Sequence, residues 1–406
     1  MKRIEADVLI LGGGPSGLAA AMACKRQGVQ HVVVLEREPN AGGVPRHCGH
    51  PPFGMREFGT VLTGPAYAQR LVDEAKAVGV RILTNHHVVA LKPNGVMQIT
   101  TPEGMSEAIG KRVLLAMGAR ESTRAARLLT GQRPWGVINT GALQAMLYLK
   151  QQKPFKAPII VGTELVSLSA VWSCLKAGIR PVAVIEENSR PTARRFLALF
   201  PKLFGIPVHY NTQIQSIKGQ ERVTHVELSA SGKSLQYACD GVLVTGKFLP
   251  EASLIRASHL DMDDNSLGPK IDQNGRTSDP AYYAAGNLLR PIETAGWSFR
   301  EGRRIGLAIA EDLRQASLAP SQDRISITLG SELKYVVPSA LSKVDSAALP
   351  WFQVRVPAAK DGVLCLEIDG QIIWRKHVRA LPERRITVPL KMQQLRDANT
   401  ISIGFL

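Results

Sequence analysis

Residues 1–28 read MKRIEADVLILGGGPSGLAAAMACKRQG, and how they are read decides the fold. Two interpretations compete. A secretion signal would explain the basic start at Lys2 and Arg3, the apolar run over residues 8–11 and the small residues at Ala21-Met22-Ala23-Cys24. A nucleotide-binding unit would make residues 6–11 (ADVLIL) a short buried strand, residues 12–17 (GGGPSG) a tight turn, and LAAAMACKRQ a helix ended by Gly28. The residues that follow settle it. HVVVL over residues 31–35 reads as a second strand, and Glu36 closes it, 19 residues beyond Gly17. A cleaved leader has no use for an acid at that distance. Strand, GxGxxG, helix, strand, acid is the fingerprint of a dinucleotide site. Gly12 permits the turn, Gly14 lets a pyrophosphate approach bare main chain, and Gly17 lets the helix lie close to the strand. Pro15 and Ser16 open the helix, whose free amides and dipole favour phosphate, and Glu36 is placed to accept ribose hydroxyls.

Composition bounds the rest. The chain has 406 residues, room for two or three domains, with 45% hydrophobic and 21% charged residues, as in ordinary globular proteins. Apolar runs fall short of the roughly 18 residues of a membrane helix, which leads to the expectation of no integral membrane segment and a cytoplasmic location. Cys24, Cys48, Cys174, Cys239 and Cys365 are scattered singly, with no CxxC, so neither a zinc ribbon nor an iron–sulfur cluster is encoded. An odd, dispersed set suits a reducing compartment. The formal net charge of +16 attracts anions, but the basic pairs Arg194-Arg195, Arg303-Arg304 and Arg384-Arg385 are far apart and carry no aromatic interleaving. That argues against nucleic acid and leaves a solvated basic surface or docking to an acidic partner.

A second landmark lies late in the chain. TSDPAYYAAGN, residues 277–287, reads as a short strand ending in Gly286-Asn287, with a helix expected from about Thr294 to Leu313. Between the landmarks, residues 113–118 and 242–246 are apolar strands that each end in glycine. Ala157-Pro158-Ile159-Ile160-Val161-Gly162 opens another strand–turn–helix unit, followed by a strand over residues 182–187. This arrangement resembles flavoproteins with two dinucleotide-binding domains, the pyridine nucleotide–disulfide oxidoreductase superfamily. More narrowly, Gly42-Gly43-Val44-Pro45-Arg46-His47-Cys48-Gly49-His50, Phe53-Gly54, Leu62-Thr63-Gly64-Pro65-Ala66-Tyr67-Ala68 and the tail YVVPSALS resemble FAD subunits associated with glycerol-3-phosphate-dehydrogenase-like, opine and proline dehydrogenase complexes.

The resemblance implies an α/β fold with two Rossmann-like three-layer domains, one for FAD and one of NAD(P) type inserted in it. The expected FAD domain spans residues 1–118 and 247–318 and the inserted domain residues 119–246. From Arg324 onward, short alternating runs separated by Asp361-Gly362 and Asp369-Gly370 read as a small all-β, sandwich-like domain over residues 321–406, a docking or oligomerisation module. The expected linker is Leu318-Ala319-Pro320-Ser321. FAD would be held by Gly12, Gly14, Pro15, Ser16, Gly17, Glu36, Arg37, Gly42, Gly43, Arg46, Val88, Gly118, Gly286, Asn287, Thr294 and Ala295. Asn287 stands where the family has aspartate and is expected to hydrogen-bond the ribityl chain; the helix after it is expected to point its N-terminus at the flavin. Gly302 and Gly306, four apart in that helix, are expected to allow close helix packing.

The middle unit departs from the pattern. Its turn reads Gly162-Thr163-Glu164-Leu165-Val166-Ser167, so a carboxylate stands where the second glycine should be. At about 4 Å and an effective dielectric near 20, repulsion between it and a phosphate is on the order of 4 kcal/mol, roughly a thousandfold in affinity. NAD(P)H binding is therefore expected to be impaired, with another nucleotide in that site left open, and Glu186-Glu187 disfavours a 2′-phosphate. His47, Cys48 and His50 are the candidate catalytic residues. Three ligands within four residues rarely enclose a metal, so no metal site is expected. Cys48 lacks the second cysteine of a dithiol reductase; it could react alone if Arg46 or a helix end lowered its pKa, or the loop could simply shape the channel to the flavin, with a histidine moving a proton. Three readings follow. The first is an FAD-dependent dehydrogenase subunit exchanging hydride or electrons with a small substrate or a partner redox subunit. The others are an NADH-dependent flavin or disulfide reductase using Cys48, and a non-catalytic nucleotide-binding scaffold.

Overall fold

The computed structural model describes residues 3–230, 232–315, 324–344, 346–395 and 397–406; Lys2 and the expected linker at Leu318-Ala319-Pro320-Ser321 lie outside them. The opening stretch folds as strand β1 (Ile4–Leu11), helix α1 (Pro15–Arg26) and strand β2 (Val32–Leu35). Val8, Leu9 and Ile10 are fully buried, because β1 sits mid-sheet with both faces covered. Helix α2 (Gly64–Ala77) leads to β3 (Arg81–Leu83), β4 (His87–Lys92), β5 (Val96–Thr101) and β6 (Gly104–Leu115), in the sheet order β3-β2-β1-β6-β5-β4. Strand β6 begins earlier than the apolar run at residue 113 suggests. Its first half pairs antiparallel with β5 through a tight hairpin, and its second half runs parallel to β1.

A second sheet comes next: β7 (Val137–Asn139), β8 (Pro158–Val161), helix α3 (Leu165–Lys176), β9 (Ala183–Ile185), β10 (Val208–His209) and β11 (Gly241–Val244). Its order is β10-β9-β8-β11-β7, all parallel. An antiparallel three-stranded sheet, Thr212–Lys218, His225–Ala230 and Lys233–Ala238, precedes β11 and was not foreseen; its third strand is largely exposed and polar, which hides it from a hydrophobic pattern. The chain enters and leaves this region through Ala119–Glu121 and Phe248–Pro250, which pair antiparallel. It then returns to the first sheet as β12 (Tyr282–Ala284), parallel to β6. The fold is thus α/β with two Rossmann-like sheets, the second parallel throughout and the first parallel except where β5 pairs with β4 and β6.

Helix α4 (Ala295–Gln315) packs along α1. A Cβ on Gly302 would lie 2.1 Å from the Ser16 carbonyl oxygen, and one on Gly306 would lie 2.6 Å from that of Ala20. The Cys24 thiol donates to the Gly306 carbonyl at 3.3 Å. The two glycines therefore bring the late helix onto the back of the first, as their spacing suggests.

The remaining strands are all β. Ala340–Ser342, Arg324–Leu329, Ile401–Phe405, Lys360–Ile368 and Gln371–Ala380 form one sheet, and Tyr335–Val337, Trp351–Arg355 and Ile386–Pro389 another. Phe352, Val354, Leu364, Leu366 and Ile403 form their core, while Tyr335, Val337 and Leu349 pack into the core of the first sheet. Gln273 exchanges hydrogen bonds with the Ser342 backbone at 2.8 and 2.9 Å, pinning the two together.

Candidate functional site

The glycine turn after β1 has the geometry its residues require. The Gly12 amide donates to the Leu35 carbonyl at 3.0 Å, and with φ at +103° a Cβ there would meet the Ala116 carbonyl at 2.5 Å. A Cβ on Gly17 would lie 2.0 Å from the Gly12 carbonyl. The turn thus sits between the ends of β1 and β6, where the sheet's connections diverge in opposite directions and α/β folds bind ligands. Gly14 caps α1 and no side chain does, so the first-turn amides are left for a ligand. The loop after β2 folds back over the turn: Gly42 donates to the Gly13 carbonyl at 2.7 Å, and a Cβ on Gly43 would lie 2.8 Å from the Gly14 Cα.

The late landmark arrives at the same place. A Cβ on Gly286 would lie 2.9 Å from Ser16 Cβ, with Ser298 of α4 beside it. Stretches 270 residues apart in the chain meet there. Ser16 Oγ and Ser298 Oγ are buried without a hydrogen-bond partner, as are Arg46 Nε and His47 Nδ1 on the returning loop. Orphaned buried polar atoms of this kind are rare in folded proteins, and these four gather at the turn and its returning loop, where a polar ligand would supply their partners.

Other expected residues have more particular surroundings. Glu36 is buried, and its two oxygens accept the amides of Gly13 and Glu38, each at 2.9 Å. Each oxygen retains capacity for a ribose hydroxyl. Arg37 is exposed and faces Glu38 at 4.0 Å. Val88 is half-buried, two residues past His86, whose amide donates to the Glu36 carbonyl at 3.0 Å. Gly118, at φ +77°, follows β6 with open space beside it. Asn287 differs from expectation: its Nδ2 donates to the Glu293 carbonyl at 3.0 Å and its Oδ1 accepts the Glu293 amide at 2.7 Å. An amide can serve both ends, whereas an aspartate would set an oxygen against that carbonyl, which gives a physical reason for asparagine here. Helix α4 begins at Ala295, and its first turn is overlaid by the segment Met55–Phe58: Arg56 donates to Thr294 Oγ1 at 3.0 Å, and Glu57, bonded to the Tyr67 hydroxyl at 2.7 Å, lies over Gly296. Arg56 and Glu57 were not foreseen, because nothing near them in sequence points to α4.

The His-Cys-Gly-His loop is less reactive than its composition suggests. Cys48 is buried, with its sulfur 3.4 Å from Gln144 Oε1, and burial pushes its thiol up to about 12. Arg46 does not offset this; its guanidinium turns to Asn40 and Glu38. The thiolate that a redox role needs is therefore absent at neutral pH. Burial lowers the pKa of both His47 and His50, with the Arg46 charge adding to the effect at His47, which disfavours the protonated form of both rings. Among the described residues, no three His, Cys, Asp or Glu side chains are grouped to hold a metal ion.

The second turn repeats the first in its strand and acid but not in its second and third glycines, which are Glu164 and Ser167. Gly162 donates to the Ile185 carbonyl at 2.8 Å, as Gly12 does to Leu35, and Glu186 is buried like Glu36, accepting Asn188 at 2.9 and 2.6 Å and the Thr163 hydroxyl. Glu164 breaks the repeat. Its carboxylate folds back between the ends of β8 and β11, accepts the Thr245 hydroxyl at 2.9 Å, and lies 2.4 Å from where a Cβ on either Gly162 or Gly246 would be. Burial pushes this carboxyl up to about 7. Arg127 donates to the Gly246 carbonyl, and buried Glu121 accepts the amides of Gly246 and Gly141 at 3.0 and 2.8 Å. The crevice that corresponds to the first site is filled from within.

The sequence profile of the pyridine nucleotide-disulphide oxidoreductase family matches residues 6–302. The chain belongs to that family. Members bind FAD, and related members use NAD(P)H, so the chain is an FAD-dependent oxidoreductase. It is 23% identical over 391 residues to an opine oxidase subunit from Agrobacterium tumefaciens (strain Ach5), covering 88% of this chain and 76% of that one. With the opine oxidase subunit of the same name from Rhizobium meliloti, the share of the relative's own length falls to 58%. Among solved structures, thioredoxin reductase from T. acidophilum superposes with a TM-score of 0.64 at 22% identity, over 76% of this chain and 99% of that one. The resemblance of this flavoprotein to that structure is one of fold. Among its described residues, no helix is long and apolar enough to cross a membrane.

Proposed function

We propose that this flavoprotein is the FAD-bearing subunit of a heteromeric oxidoreductase that oxidises a small amine, amino acid or related substrate and exchanges electrons with a partner subunit rather than with NAD(P)H. The observation that carries this reading is Glu164. A carboxyl group folded into the second crevice takes the room of a pyrophosphate, and adds charge repulsion once it ionises above about pH 7. The substrate class follows from the relative named as a subunit of opine oxidase. The net charge of +16 and the β-rich tail suit docking to an acidic partner.

In this reading the FAD pyrophosphate rests on the main chain of Gly12, Gly14, Pro15, Ser16 and Gly17, capped by Gly42, Gly43 and Arg46. Glu36, Arg37 and Val88 border the adenosine end. Gly118, Gly286, Asn287, Thr294 and Ala295 border the flavin end. Bound FAD supplies two-electron redox chemistry; the chain binds and orients it and sets the local electrostatics. His47 Nδ1, buried and without a partner, is the atom placed to take a proton, with His50 lining the approach.

Anaerobic titration tests this directly. The purified protein should keep its oxidised flavin spectrum at stoichiometric NADH or NADPH. Rapid bleaching would favour the reductase reading, with which the thioredoxin reductase fold is equally compatible.

A further inference from the structure

We propose that the C-terminal β sheets are a positioning element of the flavin site, acting through Gln353, Arg355 and Arg385 on the loop 286–294; the proposal rests on the reading of that loop as part of the FAD site. Both ends of the loop are tied to this tail, in addition to the Arg56 bond to Thr294 and the packing of Gly286 on Ser16. The Gly286 amide donates at 2.7 Å to Glu301 of α4, which forms a two-point pair with Arg290 at 3.0 and 2.5 Å. Glu301 and Arg290 are 4% and 2% exposed, so each depends mainly on these protein partners. Gln353 of the strand Trp351–Arg355 completes the cluster: its Oε1 accepts Arg290 at 2.8 and 3.2 Å, and its Nε2 donates to Glu301 at 3.4 Å. A side chain of the tail thus stands two hydrogen bonds from the amide of Gly286.

The other end of the loop is held in the same way. Arg355 donates to the Ile292 carbonyl at 2.8 Å and to Glu293 at 3.4 Å, and Arg385 donates to the second Glu293 oxygen at 3.1 Å. The Tyr335 hydroxyl reaches the Pro291 carbonyl at 3.3 Å. Glu293 is the residue whose backbone Asn287 grips from the other side. Arg385 also lies 3.8 Å from the ring centroid of Trp297 in the first turn of α4. Within this cluster three guanidinium groups (Arg290, Arg355, Arg385) face two carboxylates (Glu293, Glu301), an excess of one positive charge on the tail side of that turn, while on its other side Arg56 and Arg300 lie over the Trp297 ring and Glu57 lies over Gly296. Such a charge favours a reduced, more electron-rich flavin, and a fixed loop lowers the ordering cost of binding it. A module that only docked a partner would not need its buried polar groups aimed at this loop.

The test uses the full-length protein and four variants, measuring FAD dissociation constant by fluorescence on apoprotein and midpoint potential by dye-coupled reduction. Arg385→Gln and Gln353→Leu should each weaken FAD binding about tenfold, and Arg385→Gln should also move the midpoint potential negative. Arg385→Lys, which keeps the charge, should restore the potential. Arg379→Gln removes the same charge from an exposed position on the tail hairpin, where Arg379 pairs with Asp361 at 3.2 Å, and should change neither quantity. If Arg385→Gln does not fold, Gln353→Leu and Arg385→Lys carry the test. Wild-type FAD affinity and potential in the network variants, or an equal shift in Arg379→Gln, would overturn the proposal while leaving the FAD site intact. A wild-type chain that binds no FAD would overturn both.

Discussion

Glu164 is the residue on which the functional reading turns, and it can be tested by itself. Its carboxyl has a folded-state pKa of about 7, above the ordinary value of 4.5. The folded protein therefore holds this proton more tightly than the unfolded chain does. The resulting stability is fully present below about pH 4.5 and is lost as pH rises through 7. Glu164→Gln cannot ionise, so its thermal midpoint should match that of the wild type near pH 5 and exceed it by about 2–4 °C at pH 8; a constant offset across that range would refute the buried-carboxyl account. Glu164→Gly should open the crevice and confer NADH-dependent bleaching that the wild type lacks, up to roughly a thousandfold in affinity, although Ser167 still stands in place of the third glycine. Cys48 gives the opposite kind of test. With its thiol held near 12, alkylation at pH 8 should be slow, and Cys48→Ser should leave turnover within about twofold, measured with the natural partner or a dye acceptor. How a side chain folds is only partly legible in sequence. The glutamate in the glycine position was visible at once, but its turn toward Thr245, 81 residues on, was not. Likewise, Arg46 beside Cys48 suggested an activated thiol, and only the geometry shows the guanidinium directed elsewhere.

Between elements, the junction of α1 with α4 does most to shape the site, since it brings Ser16 and Ser298 together at Gly286. Gly302→Ala would place a methyl 2.1 Å from a main-chain oxygen, and neither helix can yield without moving the turn. The expected cost is about 1–3 kcal/mol, seen as a lower denaturation midpoint together with reduced FAD retention. Asn287→Asp tests the loop brace: it removes one hydrogen bond, about 0.5–1.5 kcal/mol, and sets a charge against the Glu293 carbonyl, so FAD should dissociate faster at unchanged secondary structure. A wild-type dissociation rate would contradict the brace. The glycine spacing of α4 and the strand–turn–helix of the opening were readable because they are local and periodic. The hairpin of β5 with β6 was not, since β5 is partly exposed and the first half of β6 lacks the apolar run of its second half, and Arg56 and Glu57 carry no local signal of the helix they cover.

At the scale of the molecule, the chain joins one glycine turn with uncapped helix amides, one crevice filled by its own side chain, and a β tail bonded to the loop 286–294. The α/β architecture and the family were legible from two glycine-rich landmarks; the tail was legible as β but not as a neighbour of the flavin loop, because Gln353, Arg355 and Arg385 read as ordinary strand residues. The proposed FAD site depends most on the convergence of residues 12–17 with residue 286. The measurement that tests it most directly is the FAD content of the purified chain and of Gly286→Val, read from the visible spectrum after reconstitution. About one FAD per chain in the wild type, and little or none in the variant, whose side chain would enter the space beside Ser16 at an unfavourable positive φ, is the predicted result. A wild-type chain that stays colourless in excess FAD, or a variant that retains the flavin in full, would contradict it.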